Sequence, residues 1–404
     1  MQSNAFIDRY ARVFGRPQAT LLQFAGLSEG EVRAKGAEVE GAGGRRWLDF
    51  GSFGMHLLGH RHDAILAAAH KSIDEMGLST KILGNCAATG FVENLISRLP
   101  WNMDSVILGN TGCEAVESAL KLAMIATGRR LIVSLENGYH GKSLAIASLG
   151  GGHLTEKLPP LIECRKIRAE DYDGLDRLLQ SEEIAAVIVE PIQGEGGILA
   201  IPPPFLRHIG DRCHATGTML ILDEIQTGIG RTGRPWAGEI SDFAPDIVVF
   251  GKVLGGGLVP ISATAFRKKQ VGSGAMDPIV HSSSFAGGTF ATTVATAALE
   301  TALAPNFLDR VTQLGDKALS SLQAVATSAS FPAQARGAGL MIGLEVDSAE
   351  RAGLIVMEAA KRGLLLTFCL TAPTVVRIYP PGVVSDEQLD QGLETITEAL
   401  GATS

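Results

Sequence analysis

The chain has 404 residues, 46% hydrophobic and 19% charged, which suits a large buried core and excludes intrinsic disorder. Its formal charge of −8 argues against nucleic-acid binding, which needs dense Lys and Arg against phosphates. No stretch reaches the ~18 apolar residues of a membrane span, and Asp8 and Arg9 break the opening segment where a signal peptide is apolar, so a soluble cytoplasmic protein without membrane partners is expected.

In chain order, "SVILGN" (105–110) reads as a short strand apolar on both faces, as a sheet covered by helices requires. A helix follows over 113–128, with Ala115, Val116, Ala119, Leu120, Leu122 and Ala123 on one side and Gly128 as its stop. "LIVSLEN" (131–137) and "AAVIVEPI" (185–192) are further buried strands. A helix over 202–217 opens on prolines and closes on glycine. "MLILDEI" (219–225) and "DIVVFGK" (246–252) complete the series. This alternation predicts an α/β fold with a mostly parallel sheet flanked by helices. Beyond residue 304 the pattern changes to a long helix, a strand-like "LMIGLEV", a helix over 349–362, the strands "LLLTFCL" and "VVRIYP", and a last helix near 385–400. The expected division is a large domain over 47–304 and a smaller α+β domain over 305–404. Residues 1–46 are expected to pack with the small domain.

Three familiar motifs fail on context. "GIGRTG" (228–233) matches G-x-G-x-x-G, but polar residues 223–227 separate it from its strand and "RPWAGE" follows instead of a helix. "YHGKS" resembles the end of a phosphate-binding P-loop, yet Glu136 stands where that loop needs its first glycine. "LILDE" alone does not rescue a nucleotidase. His60 and His62 lack further Cys or His partners, so no metal site is expected. The five cysteines, an odd number without C-x-x-C, suit a reducing compartment.

Asp223 and Lys252 carry more. Both stand at the carboxyl end of an apolar strand, where α/β sheets collect ligand-binding groups. Buried together they would form either a structural ion pair or the two ends of a cofactor site. A lysine amine whose proton affinity is lowered by burial is a nucleophile toward aldehydes. A carboxylate opposite it would keep a pyridine nitrogen protonated and make the ring an electron sink. Thr111, Gly112 and Cys113 open the 113–128 helix, where backbone N–H groups favour an anion, although a plain helix cap has the same composition. His140, in a turn beside Tyr139 and Gly141, stands apart from the other histidines.

With these segments in view, the chain resembles the class III, or ω-, aminotransferases of pyridoxal phosphate fold type I. "NTGCEAVESALKLA", "YHGKSL", "EPIQGEGG", "LILDEIQTGIGRTG" and "FGKVLGGGLVPISA" follow the family order, within a resemblance running from about residue 47 to 390. It implies pyridoxal 5′-phosphate as cofactor, with Lys252 as the lysine bonded to it and the proton carrier, and Asp223 as the pyridinium partner. Ile225 and Tyr139 would pack on opposite ring faces, and Gln226 would meet the ring hydroxyl. His140 and Thr111 would join Gly112 and Cys113 around the cofactor, the latter two through N–H bonds to its phosphate. Ser284, in "HSSSFAGGTF", stands where the family has a threonine that reaches the phosphate of a partner subunit, which implies a homodimer with shared sites.

The same comparison frames the substrates, a small amino donor and a carbonyl acceptor in ping-pong exchange. Arg377 falls where the family binds the α-carboxylate of glutamate or 2-oxoglutarate, and Glu195 where a gate residue pairs with that arginine. Lys142 replaces an arginine that clamps a carboxylate, and an ammonium cannot form that planar fork. Phe53 replaces a tyrosine that holds the α-amino group of ornithine. These departures favour exchange between glutamate or alanine and an aldehyde or ketone lacking a nearby carboxylate, giving a terminal amine. The alternative is a putrescine-, ornithine- or acetylornithine-type enzyme with 2-oxoglutarate as acceptor.

Overall fold

In the computed structural model, residues 2–151, 159–180, 183–272, 274 and 277–403 are described. The central sheet has seven strands: β1 (Ser105–Gly109), β2 (Leu131–Leu135), β3 (Cys164–Ile167), β4 (Ile184–Val189), β5 (Met219–Asp223), β6 (Ile247–Phe250) and β7 (Ser262–Phe266). Their spatial order is β1-β7-β6-β5-β4-β2-β3. β3, β2, β4, β5 and β6 are parallel, and β7 runs antiparallel to both β6 and β1. Every residue of β4, β5 and β6 is buried, as expected of strands covered on both faces.

One cover is α1 (Gly112–Thr127), which buries Ala115, Val116, Ala119, Leu120, Leu122 and Ala123. Thr111 caps it in a capping box with Glu114, and Gly128 ends it at φ 68°, a left-handed position that glycine takes without steric cost. α2 (Pro203–Thr216) starts on proline and ends at Gly217 in the same conformation.

The C-terminal part is an antiparallel sheet of Ala333–Ala338, Met341–Val346, Val375–Ile378 and Thr367–Phe368, with helices Pro305–Ser328, Ala349–Lys361 and Asp386–Gly401. The predicted single strand "LLLTFCL" is divided between two sheets. Thr367–Phe368 joins the C-terminal sheet, whereas Leu364–Leu365 lies parallel to Leu48 and Asp49 of a meander formed by Glu31–Lys35, Glu38–Gly41 and Arg46–Asp49. The division follows the hydrogen bonds: Leu48 N–H donates to Gly363 O and Phe50 N–H to Leu365 O, so the strand changes neighbours within a few residues. Trp47 Nε1 donates to Ala360 O (3.0 Å), binding the N-terminal meander to the C-terminal part.

Candidate active site

The parallel strands end together at one edge of the sheet, and the chemistry gathers there. Asp223 is the last residue of β5 and is buried. Its Oδ1 accepts the Ile225 N–H (3.0 Å) and its Oδ2 accepts from His140 Nδ1 (2.8 Å), which fixes the carboxylate in both directions. Lys252 follows β6 and Gly251, with φ of 45° in the left-handed region that side chains other than glycine rarely occupy. Burial pushes its amine below the usual lysine range, against the opposing pull of the Glu195 and Asp223 carboxylates.

These two residues face one cavity of about 200 Å³ together with Thr111, Gly112, Cys113, Tyr139, His140, Ile225 and Gln226. Nine residues from four separate stretches of sequence thus share one site. Thr111 Oγ1 accepts the Glu114 N–H (3.2 Å), while the N–H groups of Gly112 and Cys113, in the first helical turn, have no intrahelical acceptor. The turn is tight as well. A Cβ on Gly112 would lie 3.1 Å from Ile225 Cδ1, and one on Gly141, at φ 132°, would lie 2.4 Å from Cys113 Sγ. His140 Nε2 is buried without a partner.

An enclosed amine, a fixed carboxylate and uncommitted helix N–H groups around an apolar slot match a phosphorylated pyridine aldehyde. Gly112 leaves room at the slot that any side chain would take. Burial raises the Tyr139 hydroxyl to about 12, so the ring beside this slot stays neutral.

The predicted substrate residues divide. Glu195 and Arg377 meet in a buried ion pair, Arg377 Nη1 on Glu195 Oε1, although they stand 182 positions apart. Arg377 is 0% exposed, and its Nε and Nη2 have no partner. Its guanidinium lies 5.0 Å from the Phe53 ring and 5.3 Å from the Tyr379 ring. Phe53 is 48% exposed and adopts φ of 48°. Lys142 is not brought to the cavity; its side chain is exposed and its N–H donates to Cys113 Sγ (3.3 Å). Ser284 lies outside the cavity too, in a larger cleft of about 830 Å³ shared with Lys81 and Asn85.

Two residues at the site escaped sequence reasoning. Glu190 lines the cavity, accepting the Tyr139 N–H (2.8 Å) and the Gly194 N–H (3.1 Å); burial, aided by Asp223, pushes its carboxyl up to about 8. The signal was available, since Glu190 follows the buried strand β4 as Lys252 follows β6. Tyr379, two positions after Arg377, donates its hydroxyl to Gln226 Oε1 (2.7 Å). Side chains two apart on an extended segment share a face, which would have found it.

The family model Aminotransferase class-III matches residues 30–400. Aminotransferase PigE of a Serratia species is 35% identical over 84% of this chain, a match that spans only 41% of PigE. Acetylornithine aminotransferase of Bacillus cereus is 33% identical, covering 91% of this chain and 94% of its own length. An ornithine aminotransferase structure from Toxoplasma gondii, with partial occupancy of pyridoxal phosphate at its active site, superposes with a TM-score of 0.86 at 29% identity over 93% of this chain and 90% of that one.

Proposed function

The chain belongs to the class III aminotransferases, pyridoxal-phosphate-dependent enzymes, and we propose that it exchanges an amino group between glutamate or 2-oxoglutarate and the terminal carbon of an ornithine- or acetylornithine-type substrate. The Glu195–Arg377 pair carries this reading. One pocket must accept two substrates in turn, and a buried arginine with two unpartnered nitrogens can take an α-carboxylate once Glu195 releases it. With Glu195 in place, the same arginine is neutralised for a substrate that offers no carboxylate there.

When bound, the cofactor supplies an aldehyde that holds the amino group and a protonated ring that draws electrons from the bond to be broken. Lys252 would bond to that aldehyde and, after displacement by the substrate amine, move a proton at the substrate carbon. Burial disfavours the charged form of its amine, which is the direction a nucleophile needs. Asp223, held by His140 and the Ile225 N–H, would keep the ring nitrogen protonated. Gly112, Cys113 and Thr111 would hold the phosphate, Tyr139 and Ile225 the ring faces, and Gln226 the ring oxygen. Ser284 would complete the phosphate site of a second copy. In support, Leu83 and Phe285 are exposed at 76% and 63% close to its cleft. Cytoplasmic residence belongs to the same reading, in keeping with the five free cysteines.

A second reading keeps glutamate as donor but replaces the ornithine-type partner with an aldehyde lacking a nearby carboxylate. Phe53 favours it by offering a bare ring, and Lys142 by lying in solvent without a fork for a carboxylate. Single-substrate mixing with glutamate, ornithine, N-acetylornithine, putrescine and long-chain amines, followed by loss of the bound cofactor's visible absorbance, separates the two. Fast loss with glutamate and with ornithine or its acetyl derivative is expected. Loss with long-chain amines alone among the second substrates would transfer the conclusion to the second reading, and no response to glutamate would overturn both.

A further inference from the structure

The Glu195–Arg377 pair does not stand alone. Glu195 Oε1, which receives Arg377 Nη1, also accepts from Gln226 Nε2 at 3.4 Å. The other end of the same amide, Gln226 Oε1, accepts the Tyr379 hydroxyl at 2.7 Å. Tyr379 is itself fixed. Its N–H donates to Phe50 O (2.8 Å), and its ring lies 5.3 Å from the guanidinium groups of both Arg231 and Arg377. All four members of this circuit, Glu195, Gln226, Tyr379 and Arg377, are buried.

A glutamine amide has two ends of nearly equal shape and opposite hydrogen-bonding character. Left to itself, Gln226 could present either its carbonyl or its NH₂ to the cavity it lines. The Glu195 carboxylate, which can only accept, takes the NH₂ end, and the Tyr379 hydroxyl holds the remaining carbonyl end by donating. Burial keeps that hydroxyl protonated by pushing its proton affinity well above the usual tyrosine range. The NH₂ end is then turned toward Glu195 and the cavity, where it can donate to an anionic oxygen. The 3.4 Å bond to Glu195 is long and uses one N–H, which leaves the second N–H of the same nitrogen for whatever the cavity holds.

We propose that Tyr379 is a positioning residue that fixes the Gln226 amide with its donors toward the cofactor ring oxygen and thereby links the Glu195–Arg377 gate to the cofactor. When Glu195 leaves Arg377 to a substrate carboxylate, Gln226 loses that restraint on one N–H, and the hydrogen bond from Tyr379 is what then holds the amide with its other N–H toward the ring oxygen. Tyr379 keeps its hydrogen bond to the carbonyl end through that change, so the amide stays anchored on one side. This rests on the functional reading above, in which Gln226 faces the cofactor.

The test uses the holoenzyme and Tyr379→Phe, which keeps the ring against both guanidinium groups and removes only the donor. Cofactor affinity, read by equilibrium titration of the apoenzyme, should fall about fivefold, the loss of one hydrogen bond. The pH midpoint of the bound cofactor's visible absorbance should rise by about half a unit, since a weakened donor favours the protonated form. Gln226→Ala should produce both changes, and adding Tyr379→Phe to it should produce no more. Unchanged affinity and midpoint in Tyr379→Phe, or effects that add in full to those of Gln226→Ala, would overturn the assignment. Failure of the functional reading is separately visible: the wild type itself would then show no visible band, or no bleaching by glutamate, and the assignment would fall with it.

Discussion

Arg377 is a charge without solvent contact and with two idle nitrogens, so its energetics depend on what Glu195 does. Replacing it with lysine removes the planar fork and leaves a shorter, more strongly hydrated cation. Arg377→Lys should raise the KM for glutamate about 100-fold, the expected cost of losing a desolvated bidentate contact. Half-reactions with amines that lack an α-carboxylate should change by no more than about threefold, since they make no use of the fork. Equal losses for both substrate classes in rapid-mixing assays would refute the gate. Position and residue type made Arg377, Glu195, Asp223 and Lys252 legible in the sequence through the family resemblance. The place of Tyr379 beside Arg377 was legible from their two-residue spacing, but its contact with one end of Gln226 was not, because amide orientation leaves no trace in a sequence. Lys142 shows the opposite limit: a motif position fixes where the backbone goes, but not that a long side chain turns inward.

At the scale of elements, strand–helix alternation foretold the covered sheet well, since Ile184–Val189 and Met219–Asp223 are apolar on both faces and glycine ends both covering helices. β7 was not identified, because "ISATAF" is small and partly polar and its direction depends on β6 and β1. The turn after Asp49 likewise owes its form to contacts remote from helix or strand periodicity. There the Asp49 carboxylate accepts from His60 Nε2 (2.7 Å) and the Gly51 N–H (3.0 Å), and His56 stacks on His60 with centroids 3.9 Å apart. Burial first, then the charge of His60, pushes His56 down to about 4 from its usual 6.5. The unfolded chain therefore binds a proton that the folded turn rejects across this window. Stability from His56 is complete above pH 6.5 and is lost as the pH falls toward 4, at most about 3 kcal/mol. His56→Gln should flatten the fall in melting temperature between pH 6.5 and 4; a variant as acid-sensitive as the wild type would show that the loss originates elsewhere.

Across the whole molecule, one side chain joins three regions. The Arg231 guanidinium donates to Leu340 O (3.2 Å), Pro380 O (3.1 Å) and Gly54 O (3.2 Å), and is buried throughout. Burial lowers its proton affinity to about 10, still charged at neutral pH. This is the arginine of "GIGRTG", whose glycines mimic a dinucleotide loop. The motif is better understood as a turn that delivers a cation between the two larger parts of the chain. Arg231→Met would leave those carbonyls unsatisfied and should cost about 3 kcal/mol, read in chemical denaturation of the apoenzyme. A loss below about 0.5 kcal/mol would mean that the junction is held by packing alone.

The sheet shared by the two ends of the chain has a consequence for the order of synthesis. Leu48 and Asp49 emerge from a ribosome early, but Leu364 and Leu365, which flank them, emerge more than three hundred residues later. Through most of translation that edge lacks its neighbour, and the turn carrying Phe53 lacks the Pro380 and Leu340 region to which Arg231 joins it. The central sheet can form around Asp223 and Lys252 well before this happens. The sheet begun first is finished last, so a nascent chain completes the strands that carry Asp223 and Lys252 before the turn around Phe53 gains its C-terminal neighbours.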